Sequence, residues 1–254
     1  MRPRIRRFGF EIEGEYSDRL EERLLETYPS WFSFKSDGSI EGCSEREADE
    51  AEEELASSIG EPDDCGGHEP MEMVSRPFNR EEMGTVKKAF MTLQEAYERR
   101  EFHFNETMGF HIHVSFHPLR PPELWSIEFA DYFRDMLKRK YPSMWEKRSR
   151  NHYCRWVGIT EEGIARLSDW NGRYAGINYW SAFKAHKTIE FRIFGSAEPI
   201  VMFAELKDTL AAIERFVRRP ISKQLEIDID ELEKYREAAF TLEADTKERV
   251  LNMI

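Results

Sequence analysis

Several short stretches of this chain alternate strictly between apolar and polar residues. In GFHIHVS, residues 109–115, phenylalanine, isoleucine and valine alternate with two histidines and a serine. FGFEIEGE (8–15) and TIEFRIF (188–194) follow the same plan, with glutamates or an arginine at the polar positions. Successive side chains of a β-strand point to opposite faces, so each stretch predicts a strand with one apolar and one polar face.

The same kind of analysis along the whole chain predicts an α+β fold. Strands are predicted at 4–14, 32–36, 71–75, 109–117, 177–184 and 187–194. Helices are predicted at 122–139, at 229–252 and, from apolar residues spaced three and four apart, at 79–99 and 199–218. This element order favours one mainly antiparallel sheet with helices packed on one face.

Length and composition predict a single domain over residues 1–254. A chain of 254 residues with 40% hydrophobic content suffices for one sizeable core. Residues 41–70 are strongly acidic and end in turn-forming residues, so we interpret them as an insertion or flap. Residues 221–254 are interpreted as a helical C-terminal extension.

Charge and cysteine content exclude some classes of partner. The net charge of −12 and the pI near 5.2 argue against nucleic acid, because a nucleic-acid binder is usually basic. No stretch approaches the length of a membrane-spanning helix, and the basic start has no apolar segment typical of a signal peptide. The three cysteines form no CxxC pair, which favours free thiols in a reducing cytoplasm.

The polar faces of the predicted strands suggest a metal site. For a lone glutamate strand an ordinary solvated face is the simpler interpretation, and the histidine strand alone fits either interpretation. If all the apolar faces pack under helices, however, one surface gathers Glu11, Glu13, Glu72, His111, His113, Glu190 and Arg192. Clustered carboxylates repel one another, and a hard cation such as Mg²⁺ or Mn²⁺ relieves that repulsion. The planar guanidinium suits a phosphate or carboxylate instead, so the set indicates phosphate chemistry. The P-loop, HExxH and GxSxG motifs are absent.

Six motifs in order resemble the amidoligase family, a branch of the carboxylate–amine ligases with the glutamine synthetase catalytic fold. They are GFEIEGE (9–15), SDGSI (36–40), EMVSRP (72–77), GFHIHVS (109–115), RYAGIN (173–178) and TIEFRIF (188–194). The resemblance implies a curved, mainly antiparallel sheet that holds ATP and metals on its concave face, with helices on its convex face.

The resemblance also implies roles for individual residues. The implied ligands of Mg²⁺ or Mn²⁺ are Glu11, Glu13, Glu72, His111 and Glu190. The implied nucleotide contacts are His113, Ser115, Asn178 and Arg192. Implied catalytic residues are Arg192 at the transferred phosphoryl group, Asp37 near the amine, and Arg173 at substrate or phosphate.

The implied reaction is ATP-dependent amide formation from a carboxylate and an amine through an acyl phosphate. It needs positioning and charge neutralisation, and no protein nucleophile. The substrates are expected to be small molecules, peptides or a protein tag. Two alternatives remain: a non-catalytic nucleotide- or metal-binding module on the same fold, and a metal-dependent hydrolase that needs no ATP.

Overall fold

A mainly antiparallel, open sheet organises the protein. The computed structural model describes residues 4–36, 68–117, 124, 126–151, 154, 156, 175–179 and 187–219. Over these ranges the strands are β1 (Arg4–Ser17), β2 (Phe32–Ser36), β3 (His68–Ser75), β4 (Phe102–His103), β5 (Gly109–His117), β6 (Ile177–Asn178) and β7 (Ile189–Gly195). Their order in the sheet is β2-β3-β1-β5-β7-β6, and β4 pairs with β1. The pairs β1–β3, β1–β4, β2–β3 and β6–β7 are antiparallel.

Among the helices of the described ranges, two begin after a capping serine and two begin with a proline. The helices are α1 (Asp18–Thr27), α2 (Met83–Glu98), α3 (Ile127–Lys140), α4 (Pro142–Arg148) and α5 (Pro199–Val217), with a 3₁₀ turn at Arg80–Glu82. The hydroxyls of Ser17 and Ser126 accept backbone N–H groups of the first turns of α1 and α3. Pro142 and Pro199 are the first residues of α4 and α5, where a missing N–H costs no hydrogen bond.

One compact unit comprises residues 7–112 and 194–208. The apolar side chains of β1 and of the first half of β5 are buried there, with Phe10, Ile12 and Phe110 at most 1% exposed. Phe90 of α2 covers them, with its ring centroid 4.9 Å from Phe10 and 5.6 Å from Phe203 of α5. The helices therefore occupy the apolar face in this unit, which leaves the glutamates of β1 on the opposite face.

The other compact unit comprises residues 1–6, 113–193 and 209–254, of which the ranges given above are described. Its core is aromatic: Phe191 of β7 lies 4.9 Å from Phe133 of α3, between ring centroids. Phe129 of α3 also contacts Phe216 of α5, at 5.1 Å. The apolar positions of β7 thus pack under helices, as the alternation predicts.

Most predicted elements are confirmed, with corrected bounds. Strands 32–36 and 109–117 match β2 and β5, and helix 199–218 matches α5 to within one residue. Helix 122–139 begins later, because Ser126 caps it. The end of the predicted 41–70 insertion is wrong: residues 68–70 belong to β3, where they pair with the end of β1. Helices α1 and α4 were not predicted.

Other predictions fall wholly or partly outside the described residues. The predicted strand 177–184 is described only to Asn178, since Tyr179 is not in a strand and residues 180–184 lie outside the described ranges. The 229–252 helix and most of the acidic insertion also lie outside them. The single-domain organisation stays a prediction.

Candidate functional site

Three strands bring carboxylates and an imidazole together in the unit formed by residues 7–112 and 194–208. Glu11 and Glu13 lie on the polar face of β1, Glu72 lies on β3, and His111 lies on β5. Glu13 and Glu72 are direct cross-strand partners, so two acidic side chains are held side by side by the sheet register. Like charges opposite one another destabilise a strand pair, which indicates that this register serves another purpose than stability.

The ligand atoms of this acidic cluster converge. One oxygen or nitrogen atom from each of Glu11, Glu72 and His111 lies within 4.8 Å of the others. The Nδ1 atom of His111 is 3.4 Å from Glu11 Oε2, and its Nε2 atom is 3.6 Å from Glu13 Oε1. His111 is only 3% exposed, so its ring lies between two carboxylates in a largely desolvated position.

The electrostatics of the cluster show the cost of that arrangement. The pKa of Glu72 is raised to about 7, first because the carboxyl is buried and next because Glu11 repels its charge. Lys35 opposes the shift from 3.9 Å, but its side chain is 59% exposed and its charge is well solvated. The carboxyl of Glu72 therefore gives up its proton less readily than an ordinary glutamate.

This donor set fits a hard divalent cation. Carboxylate oxygens with one imidazole suit Mg²⁺ or Mn²⁺, and a bound cation would replace the proton that Glu72 otherwise retains. The residues that could hold such an ion here are Glu11, Glu72 and His111, with Glu13 next to the imidazole.

Glu13 is itself held by the backbone. Its Oε2 atom accepts a hydrogen bond from the N–H of Gly109 at 2.5 Å. A Cβ at Gly109 would lie 2.5 Å from His111 Nε2 and 3.0 Å from Glu13 Oε2, so one of these side chains would have to move to admit it. The glycine thus allows the close approach of the cluster.

A second group of predicted site residues lies in the unit formed by residues 1–6, 113–193 and 209–254. Glu190 of β7 is 4% exposed and accepts two hydrogen bonds, from Asn178 Nδ2 at 2.7 Å and from Arg192 Nη1 at 2.6 Å. Asn178 and Glu190 are cross-strand partners of β6 and β7, and Glu190 and Arg192 share a face of β7. The charge of this carboxylate is therefore compensated by a guanidinium on the same strand.

Of the remaining predicted site residues, two lie in the described ranges and two lie outside them. His113 is half-buried, with its Nδ1 atom 3.2 Å from Thr188 Oγ1, and Ser115 is also half-buried on the same face of β5. Asp37 and Arg173 lie outside the described residues. The roles assigned to all these side chains stay predictions.

Two contributors to the acidic cluster were not predicted from the sequence. Gly109 carried a signal, since it begins the histidine strand, but its role depends on atoms of β1 that only the fold brings near. Ser196, just after β7, donates its hydroxyl to the carbonyl of Glu13 at 2.6 Å and lies 3.0 Å from that of Gly109. A lone serine beyond a strand gives no such signal.

No helix in the described ranges combines the length and apolar character needed to cross a bilayer.

Comparisons with known proteins identify the family. No curated protein matches the chain. Residues 4–168 match the family model described as "Putative amidoligase enzyme", a range that contains the first four motifs and the acidic cluster but not RYAGIN or TIEFRIF. Since the match covers more than half of the chain, the protein belongs to the amidoligase family.

Proposed function

We propose that the protein is an ATP- and Mg²⁺-dependent ligase that forms an amide bond between a carboxylate and an amine, on a fold of the glutamine synthetase catalytic type. The observation that carries the proposal is the convergence of Glu11, Glu72 and His111 in a family of amidoligases. A cluster that raises a carboxyl pKa to about 7 is unfavourable without a cation, and amide ligation through an acyl phosphate needs one.

In this proposal the acidic cluster holds the cation and binds no substrate directly. When bound, the cation would neutralise charge on the phosphate oxygens. Glu11 and Glu72 would supply anionic oxygens, and His111 would supply the lone pair of one ring nitrogen. Glu13 lies beside the other ring nitrogen of His111, where a carboxylate fixes the imidazole orientation.

We assign Arg192 to the phosphoryl group and His113 to the nucleotide. The Arg192 guanidinium is already oriented by Glu190, and a preoriented fork is suited to stabilising phosphate oxygens in a transition state. The carboxylate substrate would attack the γ-phosphoryl group, releasing ADP and leaving an acyl phosphate. The amine would then displace phosphate and form the amide.

The test is ADP release in the presence of Mg²⁺, driven by a screened set of carboxylates paired with amines. We expect one pair to stimulate release, and Glu11→Gln to abolish it. Glu22→Gln, a matched change of an exposed glutamate on α1, should leave it unchanged. Stimulated release that survives Glu11→Gln would refute the assignment of the cluster.

Two measurements separate the proposal from the alternatives. The first is calorimetric titration with Mg-ATP. Tight binding without turnover over the whole substrate screen would favour a non-catalytic binding module. Hydrolysis of amides or phosphoesters without any nucleotide would favour a metal-dependent hydrolase.

A further inference from the structure

Ser196 lies directly after β7 and contacts the backbone of two other strands. Its hydroxyl is 2.6 Å from the carbonyl oxygen of Glu13 on β1 and 3.0 Å from that of Gly109 on β5. Its own N–H donates to the carbonyl of Met108 at 3.0 Å. Ser196 therefore links the first residue of β5, Gly109, to Glu13 of β1.

These contacts close a ring of hydrogen bonds around Glu13. Ser196 fixes the main chain of Glu13 and of Gly109, and the N–H of Gly109 in turn binds the Glu13 carboxylate at 2.5 Å. A hydroxyl has one proton, so the shorter contact, to Glu13, is the stronger of the two. The serine thus adds a side-chain link next to the Glu13 carboxylate, between two strands that already pair in the sheet.

The effect reaches the imidazole of His111. Gly109 and His111 are two residues apart on one face of β5, and a Cβ on Gly109 would meet His111 Nε2. The other oxygen of Glu13 lies 3.6 Å from the same nitrogen. A shift of Gly109 relative to Glu13 would therefore change the orientation of His111, and partners that orient a ligand histidine influence metal affinity.

We propose that Ser196 is a positioning residue of the cation site: through Glu13 and Gly109 it sets the orientation of His111. The inference rests on the proposed function, because it assumes that the acidic cluster binds a divalent cation. It assigns a role to a residue outside every motif of the sequence and outside the range matched by the family model.

The experiment measures the affinity of the purified protein for Mn²⁺ alone, by the loss of the free-ion paramagnetic resonance signal. Ser196→Ala is expected to raise the dissociation constant about 10- to 100-fold, the usual effect of losing a residue that orients metal ligands. Ser196→Thr keeps the donor and should return the constant toward the wild-type value. Gly109→Ala should weaken binding as well, since its methyl group would displace His111 or Glu13.

The matched control separates positioning from general stability. Ser126→Ala removes another serine hydroxyl that binds backbone, the cap of α3, and leaves the acidic cluster untouched. It should lower the midpoint of thermal unfolding without changing the Mn²⁺ constant. Ser196→Ala should change the Mn²⁺ constant even at temperatures far below its unfolding midpoint.

Each outcome decides one question. Wild-type affinity in Ser196→Ala, with weakened binding in Gly109→Ala, would overturn the role of Ser196 while the cation site stands. Absence of Mn²⁺ binding in the wild type would overturn the proposed function and this inference with it. If Ser196→Ala does not fold, Ser196→Cys, which keeps a weaker donor, decides: an unchanged constant refutes the proposal and an intermediate one supports it.

Discussion

Two groups of buried or partly buried acidic side chains in this protein have opposite electrostatic environments. Glu190 has its charge compensated within the chain, by Arg192 at 2.6 Å and by the amide of Asn178 at 2.7 Å. Glu72 lies beside Glu11, and the net result is a pKa raised to about 7 despite Lys35. The first carboxylate is an anion with its counterion built in, whereas the second needs a proton or a cation from solution. This difference separates a carboxylate that orients a guanidinium from a cluster suited to binding an ion.

The largest effect is expected from breaking the compensated pair. Arg192→Met should leave the 4% exposed Glu190 carboxylate without its guanidinium, at a cost of about 3–5 kcal/mol in unfolding free energy. Urea unfolding measures it. The double change Arg192→Met with Glu190→Leu should recover much of the loss, because it removes both charges. A loss below about 1 kcal/mol in the single variant would mean that the pair behaves like an exposed one.

Turnover should be sensitive to the shape of the same guanidinium. Arg192→Lys keeps the charge but loses the planar fork, so we expect a folded protein with turnover about a hundredfold lower, near 3 kcal/mol. The rate of ADP release with the identified substrates measures it, and the circular dichroism spectrum checks folding. Wild-type turnover in this variant would remove Arg192 from the mechanism.

The uncompensated cluster should respond to added cation. Mg²⁺ should stabilise the wild type against thermal unfolding, by about 2.7 kcal/mol at a hundredfold excess over its dissociation constant. Glu11→Gln and Glu72→Gln should lose this response, while Glu22→Gln on α1 should keep it. An equal response in Glu11→Gln would place the binding of Mg²⁺ elsewhere.

The raised pKa of Glu72 predicts a pH dependence of the metal-free protein. Its folded pKa of about 7 exceeds the ordinary value of 4.5, so the folded state binds the proton more tightly than the unfolded state. The contribution of Glu72 to stability is therefore complete below pH 4.5 and is lost as pH rises through about 7. With solvent screening considered, the change is on the order of 1–2 kcal/mol.

Unfolding at a series of pH values, with a metal chelator present, measures this contribution. Glu72→Gln is neutral throughout, so the difference in stability between this variant and the wild type should grow as pH rises through about 7. A difference that stays constant between pH 4.5 and about 7 would contradict the raised pKa.

The smallest effect should come from the exposed cation beside the cluster. Lys35 is 59% exposed and 3.9 Å from Glu72, so Lys35→Met should change the unfolding free energy by no more than about 1 kcal/mol. Its effect on the pKa of Glu72 should be upward, since Lys35 opposes the shift. Carboxyl titration followed by NMR measures that direction, and a fall in the pKa would contradict it.

Alternation along the strands predicted much of the fold and part of the site. It assigned Glu11, Glu13 and His111 to polar faces because every second residue beside them is apolar, and the apolar partners are buried as expected. His111 is buried as well, although it lies on the polar face. Helix α1 was missed because it has only ten residues and two fully buried leucines. The start of β3 was missed because residues 68–70 follow an acidic segment and show no apolar alternation. Only their pairing with β1 defines them as a strand.

Contacts that determine the fine geometry were beyond sequence analysis. Strand alternation places Glu190 and Arg192 on one face but does not say that they bind each other rather than a ligand. The hydrogen bond from Gly109 to Glu13 joins residues 96 positions apart. Such long-range contacts depend on strand order in the sheet, which local periodicity does not contain.

The polar face of β5 has a further consequence for chemical labelling. Exposure rises along the strand: His111 is buried, His113 is half-buried, and His117, the last residue, is exposed. The three imidazoles therefore differ in how easily a reagent reaches them, and His111 in addition lies between two carboxylates. An acylating reagent should therefore modify His117 first and His111 last. The extent of modification at each histidine then reports how far the reagent reaches along β5.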